Sequence, residues 1–343
     1  MPFIGRCLSL ERQQRRGICQ ENERDQLGNQ IIHFRRSGAR IKYPQDSSMK
    51  RLLLFILTCF SIASVQAQDD WSWWNETHGW EPGMPGWRSF IVISPGYLGP
   101  NALPVPDVAR GLLETAKSVK LSFDLHFREG DPTQNLAGRF YYPFSDKIGI
   151  ELYGVLFEHY AMSNVIRDER AARDRDGRGV AIGDLYFGTH IQLVKDRKFP
   201  NTLVRMVAKT ASGRPFDAAR YSDSPGYYFD FSFSKQIPQF MGGLNGLPFA
   251  SFGFYSWQTN DMNNLQNDAF MYSAGFEFNN EKWRITNSVS GYSGYKNERD
   301  QPAVYTFSAK RELRKNALQF QYICGLHDWK YQTIKLAYLW QWK

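Results

Sequence analysis

From Val119 onward the chain alternates between apolar and polar residues. Val119, Leu121, Phe123, Leu125 and Phe127 take turns with Lys120, Ser122, Asp124, His126 and Arg128. A period of two places one set on each face of a strand. Between 136 and 144, Leu136, Phe140, Tyr142 and Phe144 share a face and Arg139 lies on the other. Between 148 and 158, Ile148, Ile150, Leu152 and Leu156 alternate with Glu151 and Tyr153. The pattern is sharpest at Tyr227, Phe229, Phe231 and Phe233, set against Asp230, Ser232 and Ser234. The last run sets Ile334, Leu336, Tyr338, Trp340 and Trp342 against Lys335, Ala337 and Gln341. Further strands are predicted at 180–193, 202–210, 226–235, 248–257, 269–278, 282–292, 302–311, 316–326 and 331–342, with mixed faces at 282–292.

The lengths narrow the fold. A strand crosses a bilayer at a tilt in ~9–11 residues, which most of these match. Strands of soluble domains run nearer ~5–6. The connections at 128–135, 159–179, 211–225, 258–268, 293–301 and 327–330 belong to one end, and several are long and charged. Those at 145–147, 279–281 and 313–316 belong to the other end and are short. That asymmetry fits a closed barrel in a membrane. Two connections of the short set are long, 194–201 and 236–247. A strand hidden in the second, counted with the apolar run 89–94, gives an alternative of fourteen. The expectation is an all-β, antiparallel transmembrane β-barrel of twelve strands over 119–343.

What precedes the barrel divides into three parts. Residues 49–67 begin at Met49 with Lys50 and Arg51, continue through an uncharged, mostly apolar stretch from Leu52 to Val65, and end on Ala67. A basic start, a short apolar core and small residues before a cut describe a secretory signal peptide. The core is shorter than the ~20 residues a spanning helix needs. Residues 1–48 are polar and Arg-rich without a period, and read as a leader or an upstream extension of the reading frame. Residues 68–118 carry Trp71, Trp73, Trp74, Trp80 and Trp87, then a Pro- and Gly-punctuated stretch. Tryptophan favours membrane interfaces, which places 69–87 at the periplasmic rim; the alternatives are a carbohydrate-binding aromatic platform or a tail packed on the barrel. Asp107 is positioned to cap a short helix over 108–117. The whole segment reads as periplasmic or as a plug in the lumen.

Charge and cysteine content exclude several classes. The formal charge is +8, but residues 1–48 contribute +4 and Lys50 with Arg51 two more, which leaves about +2 for the rest. Nucleic acid is therefore not an expected partner. Cys7, Cys19 and Cys59 precede the cut, so only Cys324 remains, and neither a disulfide within the exported chain nor a cysteine zinc site is expected. Aromatic residues make up 15% while mean hydropathy is −0.49, a combination that suits a barrel exposing only alternate residues to lipid.

An export signal, alternating strands of membrane length and a final strand closing on Tyr338, Trp340 and Trp342 resemble the outer-membrane β-barrels of Gram-negative bacteria, Bacteroidota-like, as a class. The resemblance implies a location in the outer membrane, with its lipid and the barrel-assembly machinery as partners, the latter through the C-terminal strand. By parity, the inward face carries Asp124, His126, Arg139, Glu151, Asp184, His190, Arg205, Lys209, Asp230, Glu277, Lys310 and Lys335. Charges of both signs across a lumen orient water and small polar solutes, so the expected function is a porin-like passive channel. The alternative is a plugged structural or surface-binding barrel in which the charges pair and stiffen the wall. An outer-membrane lipid hydrolase is a third reading. It is disfavoured because Ser122 and His126 lie four residues apart on one strand, ~13 Å, and Ser163 stands in the same relation to His159. An acidic loop at Asp174 and Asp176 lacks the closing Glu of a calcium loop. No catalytic residue, metal or cofactor is expected.

Overall fold

The computed structural model describes residues 70–342; the segments 1–48 and 49–67 lie outside them. Fourteen strands form one antiparallel sheet. They are β1 (Lys117–Phe127), β2 (Thr133–Pro143), β3 (Ile148–Ala161), β4 (Arg178–Ala181), β5 (Leu185–Val194), β6 (Asn201–Lys209), β7 (Gly226–Ser234), β8 (Ile237–Met241), β9 (Leu244–Gln258), β10 (Gln266–Asn279), β11 (Trp283–Gly294), β12 (Ala303–Glu312), β13 (Asn316–His327) and β14 (Gln332–Trp342). Each barrel strand pairs with its neighbours in sequence, and β14 returns to β1 from Lys117 opposite Trp342 to Phe127 opposite Gln332. Closure removes the unpaired edges that an open sheet would present. Twelve strands make the barrel, and two short ones lie off it: β4 extends β3, and β8 extends the lower end of β9.

The alternation in the sequence becomes the two faces of this wall. Leu121, Phe123 and Phe127 are exposed on the outside, while Ser122, Asp124 and His126 are buried inside. Tyr227 and Phe254 face outward; Tyr228, Asp230 and Ser232 face in. The strand predicted at 180–193 divides, because the chain leaves the ladder at Ile182–Asp184 between β4 and β5. The run 89–94 is not a strand. Trp87–Phe90 forms a single 3-10 turn, and Ile91 and Ile93 are buried beyond it. The two strands beyond twelve are therefore β4 and β8.

One bulge changes a face. Between β2 and β3 the register slips, so that Leu136 pairs with Phe157 and Ala137 with Val155, leaving Leu156 as the extra residue. An extra residue inverts the alternation beyond it. Glu158, outward by simple parity, therefore points inward and is fully buried.

The chain before β1 enters the barrel. It starts at the end of the long connections, where a short helix, α1 (Ser72–His78), packs Trp74 against the β3–β5 connection through a bond from its indole N–H to Ala171 O at 3.0 Å. That connection holds a second short helix, α2 (Asn164–Glu169), capped by Ser163. Arg173 stacks its guanidinium over Trp71, Trp74 and Trp87 at 4.6, 4.7 and 5.0 Å, a cation–π arrangement that holds the segment down. The tryptophan-rich stretch thus lies at the long-connection end, not at the rim of short turns. Residues 91–114 then run down the lumen: Trp257 bonds Ile93 O, Tyr292 bonds Leu103 O, Arg205 bonds Asp107 O, and Tyr141 bonds Glu114 O. The helix expected over 108–117 does not form. Gly111 sits at φ +71, and its carbonyl and amide bond to Gln192 and Ser232 of the wall rather than to the next turn.

Candidate functional site: the barrel interior

The interior has two halves. In the half nearer the long connections, Asp131 and Glu158 meet Arg170 and Arg220. Arg220 donates to Glu158 at 2.8 Å and to both oxygens of Asp131 at 2.7 and 3.0 Å. Arg170 reaches Asp131 at 2.7 Å, and Tyr331 donates to the same carboxylate at 2.5 Å. Tyr221 and Asn101 complete Glu158 at 2.8 and 2.7 Å. Asp131 and Arg220 are 0% exposed. Burial works to raise the Asp131 carboxyl's pKa, but the Arg220 and Arg170 guanidiniums outweigh it and hold the value below the usual carboxylate range. Gly99 lets the lumenal segment lie against this group, since a Cβ there would stand 2.6 Å from Arg220 O. Below the ion network, Tyr186, Tyr228, Tyr255, Trp257 and Tyr292 pack with Leu98 and Leu103 of the segment. This half is sealed.

In the half nearer the short turns, the segment leans to one side. Its bonds go to Gln192, Arg205, Ser232, Tyr141 and, through Arg110, to Glu277. The opposite wall, β12 to β1, keeps Thr306, Ser308, Lys310, Gln319, Lys335 and Lys120 only partly buried. Asp107 and Glu114 of the segment are 66% and 40% exposed within the same space. The result is a polar vestibule, open toward the short turns and closed above by the segment.

All twelve of the inward residues singled out above, from Asp124 to Lys335, sit on the inner side, and most meet an opposite charge. Lys335 lies 3.3 Å from Asp124, Lys209 2.7 Å from Asp184, and Arg205 2.6 Å from Asp230. Glu151 lies between Arg139 at 2.8 Å and His190 at 2.9 Å. Arg139 also reaches Glu114 of the segment at 2.9 Å, and Lys310 reaches Glu312 at 2.8 Å. His126 bonds Asn135 and Thr333 at 2.6 and 2.9 Å, so neither of its ring nitrogens is free for Ser122. Ser163 caps α2, while His159 bonds Gln134 on the outer side. Neither Ser122 with His126 nor Ser163 with His159 therefore forms the serine–histidine hydrogen bond a hydrolase needs. The connection between β6 and β7 folds inward, with Ala218, Ala219, Arg220, Tyr221 and Ser222 buried.

Sequence parity missed several residues that matter here. Glu158 was hidden by the bulge, although the unbroken apolar run Val155-Leu156-Phe157 was the available sign. Asp131 and Arg170 lie in connections, where no period exists to assign a direction, while Tyr331 stands just before β14 on the inward parity of Lys335. Arg110 and Glu114 belong to the lumenal segment, whose path has no signature in the pattern.

No protein family matches the chain, and no curated protein does. Several solved structures share its outline at low identity. An outer membrane channel from Pseudomonas putida F1 aligns over 69% of this chain and 100% of its own at 11% identity, with a TM-score of 0.49. The NanC porin aligns over 66% and 100% at 7% identity, TM-score 0.42. The beta domain of the Bordetella autotransporter BrkA aligns over 67% and 100% at 11% identity, TM-score 0.39.

Proposed function

We propose that this protein is an outer-membrane β-barrel of the channel class, closed at rest by its own N-terminal segment. The short-turn vestibule would be the conducting path for small polar solutes. The observation that carries this reading is the asymmetry of the interior. A barrel serving only as a scaffold has no need of a water-accessible polar wall over β12–β1, yet Lys120, Lys310 and Lys335 line such a wall opposite Asp107 and Glu114. Mixed charge in a narrow path suits polar solutes without strong selection by sign. The apolar bands outside, such as Leu121, Phe123, Leu336, Tyr338 and Trp340, supply the surface that lipid requires.

The test is conductance in planar bilayers. The full chain should be silent or nearly so. A variant lacking residues 70–103, shown to be folded by its heat-dependent shift on a gel, should conduct in discrete steps. A folded deletion variant that stays silent would overturn the channel reading in favour of a plugged structural barrel. That second reading draws on the same sealed ion network, which stiffens the wall whether or not anything passes.

A further inference from the structure

The outer wall carries a groove that points to a specific lipid. Side chains facing outward line up in rows across the hydrogen-bonded strands. One row runs Trp283, Arg311, Leu318, Tyr338, Leu121 and Gly138, each opposite the next. The adjacent row runs Ile285, Ala309, Phe320, Leu336, Phe123 and Leu136. Between them lies a hollow of about 690 Å³, widened where Ala309 contributes only a methyl group. A smaller hollow of about 270 Å³ lies on the other side of Tyr338 and Leu121, lined by Val119, Asn316 and Trp340.

The direction of the groove is informative. Trp283 opens β11 and Arg311 nearly closes β12, so that end lies at the short turns, whereas Leu136 lies near the opposite end of β2. Five strand spacings of ~4.8 Å make the row ~24 Å long. With strands tilted ~35–45°, the groove climbs ~15 Å, about half of the ~30 Å hydrocarbon core. It therefore has the depth of one leaflet, beginning at that leaflet's headgroup level.

The chemistry at the lower end fits an anionic headgroup. Arg311 is exposed beside Trp283, with its guanidinium 5.4 Å from the ring centroid. Arg314 and Lys315 follow in the turn to β13, and Lys282 stands in the turn before β11, all exposed. Of the nearby acids, Glu312 is already taken by Lys310 and Arg284, and Glu281 stands exposed beside Lys282. Among the described residues no carboxylate pairs with Arg311, Arg314 or Lys315.

We propose that this face binds one anionic phospholipid. Its acyl chains occupy the two hollows on either side of Tyr338 and Leu121, and its headgroup sits against Arg311, Arg314 and Lys315. The proposal rests on the membrane location but not on the channel reading. Each cation at a membrane surface favours an anionic lipid by about fivefold.

The experiment is a lipid titration of the detergent-purified full chain by native mass spectrometry, with palmitoyl-oleoyl-phosphatidylglycerol and palmitoyl-oleoyl-phosphatidylcholine as probes. The wild type should retain one phosphatidylglycerol with at least ~5-fold preference over phosphatidylcholine. The triple change Arg311→Gln, Arg314→Gln, Lys315→Gln should remove the preference while leaving the barrel's heat-dependent gel shift intact. Ala309→Trp should fill the larger hollow and weaken retention of both lipids. Equal retention of both lipids by the wild type, or an undiminished preference in the triple variant, would overturn the proposal. Insertion into lipid vesicles, measured beforehand, tests the membrane location separately.

Discussion

The two halves of the interior solve opposite problems with similar residues. Near the long connections, two acids and two arginines are locked out of water, and every partner has further hydrogen bonds. Near the short turns, three lysines and two acids keep part of their surface wet. The difference lies in the lumenal segment. Where it crosses the middle of the barrel, from Tyr292 to Asn135 and Glu158, it excludes water. Lower down, where it is held by strands from β2 to β10, it leaves the wall of β12 to β14 free. A buried charge pair costs a great deal to break because the partner is left without water, whereas a wet pair contributes little. The sealed half should therefore govern stability, and on the proposed channel reading the wet half would govern conductance.

Substitutions in the two halves can test that division. Arg220→Ala should have the largest effect, since it strands Asp131 and Glu158 in the interior; a loss of ~3–5 kcal/mol is expected in urea unfolding from vesicles. A loss below ~1 kcal/mol would mean that water already reaches the network. Trp74→Ala should follow at ~3–5 kcal/mol at most, through the cavity it leaves, and should also expose the segment to added protease. Gly99→Ala should cost ~1–3 kcal/mol, because the new methyl meets the Arg220 backbone and has to displace the segment. Lys120→Gln should change stability by no more than ~1 kcal/mol, as its contact with the exposed Asp107 is long at 3.9 Å. In the segment-deleted barrel it should instead shift ion selectivity toward cations, read as a changed reversal potential in a salt gradient.

Acid offers a further way to separate the halves. The Asp131 carboxyl is held below its unfolded pKa by Arg220 and Arg170. Its contribution to stability is thus complete above the unfolded value and is lost as the pH falls through the lowered, folded one. The long-connection half should loosen in acid, with protease cleavage of the 162–184 connection rising below about pH 4. Arg220→Ala should move that onset upward. An onset independent of Arg220 would show that another carboxylate controls it.

Most of the wall could be read from the sequence. Val119 to Phe127 and Ile334 to Trp342 announce their two faces because a strand's side chains alternate strictly and lipid tolerates only one kind on its side. Twelve such segments, with long and short connections in turn, imply closure. Asp124, Arg205 and Lys335 could be placed inside by counting. Glu158 could not, because one extra residue at Leu156 reverses the count, and a bulge is a feature of pairing between two strands rather than of either alone.

Local pattern thus determined the twelve wall strands, their faces short of the bulge, and the closed barrel, since each depends on residues two apart meeting lipid or its absence. Tertiary structure decided what fills the barrel. Residues 91–114 have no period to read, and 108–117 even offered a helix that did not form. Their path is set by partners far away in sequence, Trp257, Tyr292, Gln192 and Arg205, whose polar groups are satisfied only when this one stretch of chain lies among them.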